Sequence, residues 1–449
     1  MLGKVRIIPF LKQHGNIGGI GMNKKVKVAL AGLGSRGKDT YAPTAKLFPE
    51  KMEIAAIADI DSAKVKEVAK EYNVPESACF SSAEELIAQD KLADVMFITT
   101  QDQQHVSQAI PALRKGYDLL LEKPISPDLD ECREIVKVAK ECDRKVVVCH
   151  VLRYTPFYTK LKEVLDSGVI GDVVSIMAIE NVGYWHQAHS FVRGNWRNSN
   201  TTSPMILQKC CHDFDLLLWL SGKTCKSVSS YGNTYLFKKD KAPEGATSRC
   251  LDGCKAKEHC PFDAEKIYIT NKKTGVAHGK TDWPLDVVTL HPTVESITEA
   301  IKTGPYGRCV YMCDNNVVDH QVINMNMTDG STISLTMTGF SATGSRYQKI
   351  MGTKGEVVAD MSEKTIKVTS FGKETEVIDV SKLAIDFSGH AGGDNRMVEE
   401  FIDMISKAKE PTNKITSVER SMESHYCAMA AEKSRLADGA VIDLDTLRK

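Results

Sequence analysis

Val26-Lys27-Val28-Ala29-Leu30-Ala31-Gly32-Leu33-Gly34-Ser35-Arg36-Gly37 is the stretch that decides the fold class. A run of β-branched and small apolar residues passes straight into G-x-G-x-x-G, the order of a buried strand, a tight turn and the start of a helix. A second apolar run, Ile54-Ala55-Ala56-Ile57-Ala58, ends at Asp59, about 20 residues after the turn as a dinucleotide-binding unit requires. In that unit Gly32 permits the turn, Gly34 lets the backbone approach a pyrophosphate, and Gly37 lets helix and sheet pack closely. Ser35 and Arg36 lie in the same turn and join the expected cofactor contacts, while the helix N-terminus stabilises phosphate charge. Asp59 would accept hydrogen bonds from the adenosine ribose and repel a 2′-phosphate, and the following Ile60-Asp61 supplies no cation, so NAD is expected rather than NADP.

Outward from this unit the alternation continues. Helical stretches are expected at Ser62 to Tyr72, Ser82 to Ala88, Val106 to Lys115 and Leu129 to Cys142, with strands at Val95 to Thr99, Tyr117 to Leu121 and Lys145 to Cys149. That rhythm predicts an α/β fold with a doubly wound parallel sheet, a Rossmann domain over residues 23–150. Thr99-Thr100 and Glu122-Lys123-Pro124 follow strands, on the side where such sheets bind ligands. Residues 151–449 show a different pattern of short alternating runs, Val173 to Ile179, Val318 to Met327, Ser331 to Thr338, Glu356 to Met361 and Thr365 to Thr369. Turn signals such as Thr328-Asp329-Gly330 separate them, and a helical segment closes the chain, as in an α+β domain with an open, largely antiparallel sheet.

Composition narrows the function. The 449 residues are too many for one typical core, and Lys plus Arg balances Asp plus Glu at 58 each. No long-range field would recruit nucleic acid or an anionic membrane. No stretch resembles a membrane span and the mixed opening makes a poor signal peptide, so a cytoplasmic protein is expected. Met22 directly precedes the first strand, and residues 1–22 are expected to be an extension or to reflect a mis-assigned start.

Glycines 32, 34 and 37, Asp59, Thr99-Thr100 followed by His105, and above all Glu122-Lys123-Pro124 after a strand resemble the Gfo/Idh/MocA family of nicotinamide-dependent sugar and cyclitol oxidoreductases. Arg153-Tyr154, Gly168-Val169-Ile170-Gly171 and His212-Asp213-Phe214-Asp215 extend the match across nearly the whole chain from Met22. The resemblance implies a carbohydrate substrate and a dimer or tetramer assembled through the second sheet. It implies that Lys123 hydrogen-bonds the reacting hydroxyl and that Thr99, Thr100, His105, Glu122 and Lys123 itself help to hold the cofactor.

Oxidising a secondary alcohol requires a base for the hydroxyl proton, and His212 is the expected acceptor because imidazole titrates near neutrality. The family pattern pairs this histidine with an aspartate four residues earlier. Here that position is Gln208, with Lys209 beside it, so Lys209 is expected either to bind the substrate or to share proton handling with Lys123. Asp215 and Arg153 join the expected substrate contacts. Tyr184-Trp185-His186, Trp196 and Arg197 have the aromatic faces and polar tips that a sugar pocket needs, and His390-Ala391-Gly392-Gly393-Asp394 is expected to close over it.

A Cys-rich insert near residues 240–285 holds Cys250, Cys254 and Cys260. Their spacing admits zinc, an iron–sulfur cluster or simply packed thiols, with Cys309, Cys313, His259 or His278 as a fourth ligand. Two other functions fit the motifs: a redox-neutral glycoside-cleaving enzyme that holds NAD throughout, and a non-catalytic NAD-sensing protein.

Overall fold

A computed structural model describes residues 25–449, and the expected extension over residues 1–22 lies outside the described residues. Six strands, β1 (Val26–Ala31), β2 (Met52–Ala58), β3 (Cys79–Phe80), β4 (Val95–Ile98), β5 (Asp118–Leu121) and β6 (Val146–Val148), form one sheet in the order β3-β2-β1-β4-β5-β6. Every pairing in it is parallel. β1 and β4 are buried along nearly their whole length, as expected of strands with helices on both faces. The chain leaves β1 and β4 for opposite halves of the sheet, so a crevice opens between the turns that follow them.

The helices match the sequence reading closely. Ser62–Tyr72 is capped by Asp61, whose carboxylate accepts from Ala63 and Lys64 amides, and Leu129–Glu141 is capped by Asp128 in the same way. The first connection differs from expectation. Instead of one regular helix, the chain makes a widened turn over Ser35–Tyr41 and a short helix at Thr44–Leu47, split by Pro43.

The second sheet has nine strands: β7 (Val173–Gly183), β8 (Cys225–Asn233), β9 (His320–Met327), β10 (Thr332–Ser341), β11 (Ser345–Gly352), β12 (Gly355–Asp360), β13 (Thr365–Ser370), β14 (Glu376–Asp379) and β15 (Ile442–Asp443). Their order is β14-β13-β12-β11-β7-β10-β9-β8-β15. Only the β7–β10 pair is parallel. One face carries the alternate buried residues, including Ile176, Ile323, Met325, Ile333 and Leu335, and packs against the long helices Met205–Ser221 and Val418–Leu436. The opposite face presents Met177 and Val322 outward.

The insert is larger than its cysteines suggest. Phe237, Phe262, Ile267, Tyr268, Leu285, Ile297, Ile301 and Val310 build a second core, closed by Ala188 and Val192 from the segment after β7. Loops, short helical turns and the helix Val294–Thr303 carry these residues, which explains the missing strand pattern.

Candidate active site

The glycine turn is built as the sequence requires. Gly32 has φ +95°, and a Cβ there would lie 2.8 Å from the Thr99 carbonyl carbon. A Cβ on Gly37 would lie 2.0 Å from the Gly32 carbonyl oxygen, so β1, its turn and the β4 end can meet only without side chains. Gly34 differs: its Cβ would meet nothing within 4 Å, leaving its backbone open to a ligand. Thr99 Oγ1 donates to the carbonyls of Ala31 and Gly32 at 3.0 and 2.7 Å. Asp59 accepts the Leu33 amide at 2.6 Å and the Asp61 amide at 2.8 Å, which ties the end of β2 to the turn.

Ser35 stands in this turn, but Arg36 points elsewhere: its Nε donates to Glu122 at 2.7 Å and its Nη2 to Asp394 at 2.7 Å. Buried Glu122 also accepts from Tyr41 Oη at 2.6 Å and from the Lys123 amide at 3.0 Å. Burial opposes its ionisation, but Arg36 and Lys123 outweigh it and hold the carboxyl below its ordinary range. Glu122 therefore clamps the glycine turn to the end of β5. His105 is buried with its ring nitrogens 2.8 and 3.1 Å from the carbonyls of Pro124 and Thr100, and Thr100 Oγ1 donates to Gln108 at 2.6 Å. These contacts brace the loop that follows β4.

Lys123 projects from the end of β5, and its Nζ donates to the Gln208 carbonyl at 2.9 Å and lies 6.0 Å from the Trp196 ring centre. Helix Met205–Ser221 reaches this point because buried Asp102, beyond β4, accepts from Thr202 Oγ1 and the Ser203 amide, each at 2.8 Å. Along the same helix, His212 comes to within 5.6 Å of the His150 ring and 6.1 Å of the His390 ring, centre to centre. Burial first, then Lys123, His150, Arg346 and His390, hold the His212 imidazole well below its ordinary pKa.

Several expected contacts are engaged elsewhere. Asp215 and Arg153 are buried against each other in a two-pronged pair at 2.7 and 2.6 Å. Lys209 Nζ lies 3.2 Å from buried Glu180, which is 3.0 Å from Arg346, itself bound to Asp213 at 2.8 Å. Lys209 thus neutralises a buried carboxylate, a demand the sequence did not reveal because Glu180 and Arg346 lie on separate strands. Arg197 pairs with Asp314 of the insert at 2.7 Å.

The aromatic segment does gather. Trp185 and His186 stack at 5.8 Å, and Trp283 from the insert packs at 5.2 Å from Trp185 and 4.8 Å from His186. Tyr184 Oη accepts from Asn271 at 3.3 Å, and Trp196 lies 6.0 Å from Phe191. Lys123, Lys209 and His390 all act electrostatically on His186, which sets this ring in the same neighbourhood. Trp283 and Asp394 are the members the sequence reading did not single out as ligands; the His390–Asp394 motif was its available signal.

Cys250, Cys254 and Cys260 do come together, joined by Cys309 and buried Arg193 around one cavity of about 20 Å³. Among the described residues, however, no group of three or more His, Cys, Asp or Glu side chains is arranged to hold a metal ion. Of the alternatives that the spacing admits, a zinc or iron–sulfur centre is therefore unsupported. Instead, Cys250 Sγ accepts from Arg193 Nη2 and the Ala264 amide, each at 3.4 Å, and burial raises the Cys250, Cys260 and Cys309 thiol pKa values.

Residues 26–150 match the family model for an NAD-binding Rossmann fold of the oxidoreductase family, and residues 162–437 match that family's C-terminal alpha/beta domain. The chain belongs to the Gfo/Idh/MocA oxidoreductase family. It is an NAD-binding oxidoreductase by that membership, and the glycine turn, with Gly34 left open, fits a dinucleotide. It is 24% identical over 394 residues to the oxidoreductase YteT of Bacillus subtilis, covering 83% of this chain and 87% of that one. It is 29% identical over 208 residues to an inositol 2-dehydrogenase of Corynebacterium glutamicum, covering 46% of this chain and 57% of the relative. An Agrobacterium radiobacter oxidoreductase, solved with NAD+, L-tartaric acid and magnesium, shares the fold at TM-score 0.67 and 16% identity, over 94% of this chain and all of that one. The aldose–aldose oxidoreductase of Caulobacter crescentus, solved with glycerol, aligns at TM-score 0.63 and 13% identity, over 94% and 100% of the two chains. Among the described residues no helix is long and apolar enough to cross a membrane.

Proposed function

We propose that this family member is an NAD-dependent dehydrogenase acting on a secondary alcohol carbon of a sugar, sugar derivative, glycoside or cyclitol. The observation that carries the reading is Lys123, just beyond the end of β5, hydrogen-bonded through Nζ to the Gln208 carbonyl on the helix that carries His212 and 6.0 Å from the Trp196 ring centre. Nicotinamide bound there would supply the hydride acceptor. Lys123 donates a hydrogen bond to the reacting hydroxyl, Trp196 and Trp185 give apolar faces to a sugar ring, and the imidazoles handle the proton. NAD is the expected form because the Asp59 carboxylate would repel a 2′-phosphate and exposed Ile60 offers it no cation.

The inositol dehydrogenase and aldose oxidoreductase among the similar proteins support polyols as the first substrates to try. The test mixes the protein with NAD+ and a panel of sugars, cyclitols, uronic acids and glycosides, following reduced nicotinamide by absorbance and each substrate by mass spectrometry. Reduced cofactor together with a product two hydrogens lighter upholds the reading; glycoside cleavage without net reduction replaces it with the redox-neutral enzyme. Lys123→Met is expected to lower kcat on the order of a hundredfold with little change in NAD+ affinity.

A further inference from the structure

Three histidine rings stand in succession in the site, His150, His212 and His390, and among the described residues only His390 of these has a carboxylate hydrogen-bond partner. His212 has none: Asp213 is taken by Arg346, Asp215 by Arg153, and residue 208 is glutamine. Its Nδ1 has no hydrogen-bond partner among the described residues, and the residue is 5% exposed. A ring so placed can accept a hydrogen bond, but a proton left on it would be a buried, uncompensated charge next to Lys123.

His390 differs on each count. Its Nδ1 lies 3.1 Å from Asp394 Oδ2, and the same oxygen accepts its backbone amide at 2.9 Å. The Asp394 side chain is 3% exposed, and its other oxygen accepts from Arg36 at 2.7 Å. Arg36 Nη1 also lies 3.3 Å from His390 Nδ1, but a guanidinium is always protonated and only donates. The nearer acceptor for Nδ1–H is Asp394, which leaves Nε2 as the free base. The side chain is 42% exposed and so open to water, whereas His212 is 5% exposed. The backbone is shaped for this contact: Gly389 has φ +57°, and a Cβ there would lie 2.4 Å from Asp394 Oδ2. The charged and titratable groups around His390 are Arg36, Asp394 and His212 in contact, with Glu122, Lys123 and His186 behind them.

We infer that His390, oriented by Asp394, is the base that takes the substrate's hydroxyl proton and passes it to water, with Lys123 and His212 orienting that hydroxyl. The assignment rests on the dehydrogenase reading. His390 Nε2 takes the O–H proton as the carbinol C–H electron pair leaves as hydride to nicotinamide and the C=O bond forms; the proton then goes to solvent. Asp394 is a positioning residue, since it touches the base and not the substrate.

Two measurements test this on the full chain with NAD+ bound. With ¹⁵N-labelled histidine, NMR should find His390 in the Nδ1–H tautomer, identified by its loss in His390→Gln, and Asp394→Asn should abolish that preference. An Nε2–H tautomer in the intact chain overturns the assignment. With the polyol that the intact chain oxidises, His390→Gln should lower kcat on the order of a hundredfold, leave KM and NAD+ affinity unchanged, and regain rate with added imidazole. A kcat within about threefold of the intact chain overturns it. An intact chain that oxidises no polyol in the panel fails the dehydrogenase reading instead, and the assignment with it, while the tautomer still reports whether Asp394 orients the ring.

Discussion

Gly37 is the residue of the dinucleotide turn whose added Cβ would come closest to a neighbouring atom. An added methyl would meet the Gly32 carbonyl oxygen at 2.0 Å and Thr99 Oγ1 at 2.7 Å, two groups hydrogen-bonded to each other just beyond the ends of β1 and β4. Gly37→Ala should therefore move the turn rather than a side chain, at a strain of about 1–3 kcal/mol. NAD+ titration by calorimetry is expected to give a dissociation constant larger on the order of tenfold. At this scale the sequence was legible wherever a residue's job is local. Gly32, Gly34 and Gly37 stand where the motif puts them, and Lys123 does project from a strand end. It was not legible where a partner is remote. Arg153 and Asp215 are 62 positions apart and look like two polar ligands until the fold turns them into one buried pair. Lys209 has the same history, since its partner Glu180 faces inward only because β7 lies where it does.

Between elements, the coupling of the first sheet to helix Met205–Ser221 rests on Asp102. Its carboxylate accepts from Thr202 Oγ1, Ser203 Oγ and the Ser203 amide, all buried. Asp102→Ala would leave these donors without water or acceptor, at about 2–4 kcal/mol. The expected result is a lower urea midpoint with an unchanged slope, and a raised KM where His212 and Gln208 lose their register with Lys123. Helix and strand types were read from periodicity because one buried face repeats at 3.6 or 2 residues. β8 and β11 were missed. β8 is rich in serine, Cys225-Lys226-Ser227-Val228-Ser229-Ser230, so its buried face has little hydrophobic contrast, and β11 buries Arg346 and Gln348 in polar networks that imitate an exposed strand.

Across the whole molecule, burial of histidine rings makes stability depend on pH. His150, His186 and His212 are held below their ordinary pKa, and His189 and His425 are lowered to about 3, each chiefly by burial. The unfolded chain binds a proton on each near pH 6.5 while the folded chain does not, so stability is full above that pH and falls as pH drops toward 3. His189 and His425 alone should remove about 3 kcal/mol per pH unit near pH 5, and urea midpoints measured from pH 7 to 5 should fall accordingly. The outer face of the second sheet makes a separate prediction. Met177 and Val322 are exposed there beside a shallow depression of about 670 Å³, lined by Ser334, Asn324 and Asn326 among others. If this face joins copies of the chain, as expected of a homo-oligomer, Met177→Asp should reduce the sedimenting mass without unfolding the monomer.

The sequence by itself determined the parallel sheet, the dinucleotide turn and the strand end that carries Lys123. Each depends on residues close together in the chain, where sterics and hydrophobic period act locally. The tertiary structure alone decided which polar groups remain free. Arg153, Asp215 and Lys209 became interior ion pairs, the four thiols gathered around a cavity without a metal-holding arrangement among the described residues, and His390 met Asp394 and Arg36 beside His212. Burial sets the cost of leaving a charge unpaired, and burial is a property of the packed chain.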